Sequence, residues 1–194
     1  MSSNHLEIHS KDSRDVFGFW VYILTDCMIF ASLFATYLVL NSPGSYGPTL
    51  KEHINLDYVL VETFALLISN FCFGVSVLQS YKNKIKATNL WLLLTFIFGL
   101  VFISLEINEF VELAHKGYIW SASGGASSFF TLVGTHGLHV SVGLLWILVA
   151  MLQIAVFGFN SEVRKRLVYL GLFWNFLDIV WIFIFSIVYL LGAV

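Results

Sequence analysis

Charge is what this chain has least of: of its 194 residues only 11% are Asp, Glu, Lys or Arg, against 58% hydrophobic. A soluble domain carries charge on about a quarter of its residues, so a globule facing water on all sides is excluded. Proline is almost missing too. Its 2 residues, Pro43 and Pro48, both fall in "NSPGSYGP", which leaves the apolar segments without a proline break. The 2 cysteines, Cys27 and Cys72, lie in apolar runs, which excludes a disulfide framework and reads as small packing residues. Positive charge is not in excess either. A net charge of -2 offers no basic face to neutralise phosphates, so no nucleic acid is expected as a partner. The first fifteen residues, "MSSNHLEIHSKDSRD", lack an apolar core and a small-residue cleavage site. They read as a polar cytoplasmic tail, 1–15, rather than a signal peptide, so the first span is expected to direct its own insertion.

What is present is apolar length. A bilayer core of about 30 Å takes about 20 residues of helix. Five segments reach that length, at about 16–40, 56–81, 88–115, 124–158 and 165–193. The expected fold is therefore an all-α integral membrane bundle of five transmembrane helices, forming a single membrane domain over 1–194. "NSPGSYGP" reads as a loop between the first two spans. Lys11, Arg14, Lys82, Lys84, Lys86, Arg164, Lys165 and Arg166 fall on one side of the spans, and only Lys51 and Lys116 on the other. Under the positive-inside rule this puts the N-terminus in the cytoplasm and the C-terminus outside, in the periplasm.

Several polar residues sit inside these spans: Asp26 in "LTDCMIF", Glu62 in "LVETFALL", Glu106 and Glu109 in "LEINEF", His136 and His139 in "THGLHVSVG", and Asp178 in "NFLDIVW". An ionisable group at membrane depth costs several kcal/mol unless it is paired or neutral, so each is a candidate for function or for holding helices together. At about 1.5 Å per residue, Glu106 and His136 lie about 14 and 18 Å from the outer ends of antiparallel spans, so the two can meet. Asp26 and Asp178 both lie about 15–17 Å from the inner face by the same rise. A mid-membrane polar layer follows if these helices are neighbours.

The two histidines share a helical face at i and i+3, so they cannot clasp one haem iron from opposite sides. Di-iron bundles place Glu-x-x-His within one helix and repeat it on a second; here Glu pairs with Glu and His with His. An interhelical hydrogen-bonding knot is the better reading, with Gly134, Gly137, Gly143 and Ser141 letting a neighbouring helix approach. A stand-alone membrane metalloenzyme or proton-coupled carrier built on His136, His139, Glu106 and Glu109 is the alternative. No phosphate loop, Cys-x-x-Cys, arginine row or paired helix break is present. The residues thus describe a helical bundle with a polar middle and no redox centre of its own.

The strings "FGFWVYILTDCMIFASLFATY", "VETFALL", "LEINEF", "TLVGTHGLHVSVGLLW" and "LFWNFLDIVWIFIFSIVYLLG" resemble subunit III of the haem–copper respiratory oxidases, from about Phe17 to Gly192. Five spans rather than seven resemble the bo-type ubiquinol oxidase branch of bacteria. The resemblance implies a non-catalytic subunit of a proton-pumping quinol oxidase in the bacterial cytoplasmic (inner) membrane. Catalytic subunit I would carry the haems and copper, with subunits II and IV in the same complex. This chain would bind no metal cofactor, would hold phospholipid and would support proton uptake. Carried over by position, Asp26 matches an intramembrane carboxylate near a lipid cleft. Glu106 with Glu109 and His136 with His139 match paired groups of the family, as Asp178 matches its aspartate. The chain departs from the family at Asn175, where histidine is usual. An amide cannot titrate near neutral pH, which favours a structural role for that cluster.

Overall fold

The structure, a computed structural model, describes residues 2–41 and 56–190, with the backbone alone described over 2–13 and at 15. Five helices follow one another: α1 Ser2–Leu40, α2 Leu56–Tyr81, α3 Ile85–His115, α4 Gly124–Phe157 and α5 Ser161–Ile184. A π-helical turn, Phe185–Leu190, continues α5 without a break. No strand occurs among the described residues, and all five helices are long and apolar enough to cross a membrane. The multi-pass helical expectation holds. The "NSPGSYGP" loop after Asn41, Lys51 and the last residues of the fifth span lie outside the described residues.

Two boundaries differ from expectation, each for a local reason. The polar residues before Val16 are helical and continuous with α1, rather than a separate tail. No glycine or proline precedes Gly18, so nothing interrupts the helix as it leaves the apolar region. The last helix starts at Ser161, earlier than its apolar run, because Asn160 caps it: its Oδ1 accepts from the Val163 N–H at 2.8 Å. Ser123 caps α4 the same way, accepting from the Ala126 N–H at 3.0 Å.

The helices form an antiparallel bundle in which α2 packs on α3, α3 on α4, α4 on α5 and α5 back on α2. The first helix lies outside this ring, against α4 and the edge of α5. The α2–α3 hairpin is stitched inside by the buried Ser69 hydroxyl, which donates to the Thr95 carbonyl at 2.8 Å. At one end, Arg164 Nη2 donates to Asn83 Oδ1 at 2.6 Å, clasping the start of α5 to the α2–α3 turn. That bond puts Lys82, Lys84 and Lys86 at the same end as Arg164, Lys165 and Arg166. Between α4 and α5, Trp174 fills the space that a side chain at position 143 would take. A Cβ on Gly143 would lie 2.8 Å from the indole, so glycine is what lets this buried tryptophan in.

Cys27 and Cys72 are both free, one exposed and one buried. Outward, α2 and α3 present bulky apolar side chains such as Phe64, Phe71, Leu93 and Ile97. This is the surface expected of helices that meet hydrocarbon.

A candidate functional site in the polar core

The polar residues singled out by depth are nearly all inside the bundle. Asp26, Glu62, Glu106, Glu109, His136 and Asp178 are buried. They fall into separate contacts rather than one continuous layer.

At the junction of α1 and α4, His139 Nε2 stands 3.8 Å from Asp26 Oδ1. That distance is ion-pair range and too long for a hydrogen bond. The other nitrogen, Nδ1, is 2.7 Å from the Thr135 carbonyl oxygen. A carbonyl only accepts, so Nδ1 carries a proton and Nε2 is the nitrogen offered to the carboxyl. Asp26 therefore meets α4 and not Asp178 of α5, as equal depth alone would allow.

Asp178 turns the other way. Its Oδ2 accepts from Asn70 Nδ2 of α2 at 2.9 Å, across the α2–α5 contact. Asn175, one turn earlier, is exposed and lines a different feature, a cleft of about 530 Å³ between α1 and α5. Phe19, Trp20, Cys27, Ala31 and Phe183 also line it. Position 175 thus stands apart from the Asp178 contact with which sequence alone grouped it.

His136 is fully buried and held by rings. It stacks on Trp181 at 5.3 Å between centroids and meets the edges of Phe102 at 5.9 Å and Phe30 at 6.3 Å. Neither ring nitrogen has a hydrogen-bond partner among the described residues. The expected imidazole–carboxylate bond at this position is replaced by aromatic packing. Glu106 does reach α4, at the neighbouring residue. Its carboxyl sits where the Cβ of residue 137 would be, 2.5–2.9 Å from that point, so only glycine leaves it room.

Three glutamates of α2 and α3 lie near enough to feel one another's charge. Glu62 of α2 lies within electrostatic reach of Glu106 and Glu109 of α3. Tyr189, fully buried in the π-turn, donates to Glu109 Oε2 at 2.7 Å. Nearby, Trp181 Nε1 donates to Thr63 Oγ1 at 3.0 Å, and that hydroxyl donates on to the Val59 carbonyl at 2.9 Å.

Sequence reasoning missed Asn70, Thr63, Trp181 and Tyr189. An amide at mid-span in "LISNFCF" was a readable signal for Asn70. Tyr189 had none, because the π-turn changes which way the last residues of the helix point. Among the described residues, no three His, Cys, Asp or Glu side chains are placed to hold a metal ion. The ligand set of the metalloenzyme alternative is dispersed, with His136 among rings and His139 at Asp26.

Comparison with known proteins converges on one family. The model of "Cytochrome c oxidase subunit III" matches residues 3–193. The cytochrome bo(3) ubiquinol oxidase subunit 3 of Pseudomonas aeruginosa is 50% identical over 98% of this chain and 91% of its own length. Its namesake from Pseudomonas putida is 46% identical over 95% of this chain and 89% of its own. The quinol oxidase subunit 3 of Bacillus subtilis is 37% identical over 98% of this chain and 94% of its own. With a match running almost end to end and relatives that share its whole span, the chain belongs to the cytochrome c oxidase subunit III family.

Proposed function

We propose that the chain is a non-catalytic subunit III of a proton-pumping ubiquinol oxidase in the bacterial cytoplasmic membrane, and that its buried polar groups hold the bundle together. The observation that carries this reading is where those groups go. Asp26 faces His139, Asp178 takes a hydrogen bond from Asn70, and Glu109 takes one from Tyr189, each across a helix–helix contact. Contacts of this kind run between neighbouring helices and favour a structural role. Relatives named as ubiquinol oxidase subunit 3 support quinol as the electron donor of the complex.

Catalytic subunit I, holding the haems and copper, is the expected neighbour, with subunits II and IV in the same assembly. The clasped cationic end of the bundle faces the cytoplasm in this reading, by the positive-inside rule. The apolar cleft between α1 and α5 suits an acyl chain of a phospholipid, its walls being aromatic and aliphatic side chains with Asn175 as a polar group among them. A role in sustaining proton uptake belongs to the same reading, as the family resemblance implies.

The test is purification of the chain through a terminal tag in mild detergent. Haem bands, copper, a much larger membrane subunit and quinol-dependent oxygen uptake are expected to come with it. A chain that emerges alone, stable and with stoichiometric iron or zinc would overturn the assignment.

A further inference from the structure

The polar core holds more acceptors than the protein supplies donors. Both oxygens of Glu62 and Oε2 of Glu106 are buried and lack a hydrogen-bond partner among the described residues. Glu62 and Glu106 are 0% and 3% exposed, so bulk solvent does not reach them. A buried polar group left without a partner loses its hydration with nothing in return. Such orphans in a native structure are met by ordered water or an ion.

Three further observations narrow the answer. First, the site is built from elements that are unrelated in sequence. Glu62 comes from α2, Glu106 and Glu109 from α3, and Tyr189 from the π-turn after α5. Second, the hydroxyl that does reach this cluster is already committed, from Tyr189 to Glu109 Oε2. Glu62, on a separate helix, has no hydrogen-bond donor among the described residues although it is within electrostatic reach of both other carboxyls. Third, polar groups continue toward the end of α3, where Glu112, three residues after Glu109, is exposed. Tyr58, half-buried one turn before Glu62, donates to the Leu105 carbonyl at 3.1 Å. Its hydroxyl also lies beside Asn108 and within electrostatic reach of Glu62, Glu109 and Glu112.

We propose that the core of the bundle binds ordered water at Glu62, bridging its carboxyl to Glu106 and Glu109, and that this water exchanges past Tyr58 with the side on which α3 ends. Water fits the chemistry better than a cation. It brings two donors and two acceptors, so one molecule can serve two carboxyl groups. Among the described residues, no set of three ligating groups is arranged for a metal ion.

The experiment uses the intact oxidase containing this chain. A density map fine enough to resolve ordered solvent should show at least one water within hydrogen-bond distance of the Glu62 carboxyl and of Glu106 or Glu109. A direct bond between Glu62 and another carboxyl, a bound cation, or Glu62 turned to a protein donor with no water beside it would each overturn the proposal. Infrared difference spectra between the unaltered complex and Glu62→Gln, in ordinary and in oxygen-18 water, give an independent reading. A water O–H band that shifts with the heavy isotope and is lost or displaced in the variant is expected. Spectra without such a band would sink the idea, and the map of the unaltered complex decides the matter if the variant fails to assemble.

Discussion

Tyr189 and Glu109, 80 residues apart in sequence, meet in a 2.7 Å hydrogen bond that fastens the end of the last helix to α3. Both side chains are buried, so the bond is shielded from bulk solvent. Replacing Tyr189 by Phe keeps the ring against Phe129 and Trp181 but removes the hydroxyl that donates to Glu109. A loss of about 1–3 kcal/mol is expected, seen as a lower thermal midpoint of the purified complex, with oxygen uptake per haem unchanged. An unaltered midpoint would mean that the bond contributes nothing.

His136 is held by ring contacts, so its shape should matter and its nitrogens should not. His136→Phe is expected to assemble near the normal level, whereas His136→Ala should cost about 3 kcal/mol or more by loss of buried aromatic contacts. Yield of assembled complex from membranes is the measurement. Equal damage from both changes would show that the imidazole nitrogens are needed after all.

Gly137 is tied to Glu106 by space. An added methyl would sit 2.5–2.9 Å from the carboxyl, so Gly137→Ala should destabilise by about 1–3 kcal/mol through overpacking. Combining it with Glu106→Ala removes the obstructing group. Thermal unfolding of both single variants and of the double variant should then be strongly non-additive. Simple additivity would separate the two residues.

Asn70 and Asp178 form a bond within the membrane region, where such bonds average only about 0.6 kcal/mol in double-mutant cycles. A cycle of Asn70→Ala and Asp178→Ala should give a coupling of that order. A coupling of zero would mean that the two side chains do not hold each other.

The cleft between α1 and α5 can be filled from its α1 wall, where Ala31 lines it. Ala31→Trp is expected to lower the phospholipid phosphorus that copurifies with the complex and to leave assembly intact. Unchanged phosphorus would remove the cleft from the lipid reading.

Span length made the bundle legible, since runs of 20 or more apolar residues allow little else. Depth along the helix was legible as well. Counting residues from the span ends put Glu106 level with the His136 turn, and Glu106 does meet α4, at Gly137. Direction around the helix was not. Asn175 and Asp178, three residues apart, differ by about 60° around the axis. That is enough for one to line a cleft toward α1 while the other reaches α2. The choice of rings over a carboxyl for His136 depends on Trp181 and Phe102, from helices whose rotation no periodicity within α4 reveals. Tyr189 was hidden for the same kind of reason, the π-turn resetting the register just before it.

The first helix, lying outside the ring, sets an order of events. It is the first to be synthesised, yet its contacts are with α4 and α5, the last to appear. While it waits in the bilayer, its Thr25, Ser32 and Thr36 hydroxyls donate to carbonyls of their own helix, so they leave no donor unmet. Asp26 has one such local partner, the Tyr22 hydroxyl one turn earlier, which leaves its second oxygen unmet. Until the chain has been extended through His139, that carboxyl stands in lipid without its imidazole, and this interval is the moment at which the nascent subunit most needs a helper or a neighbour.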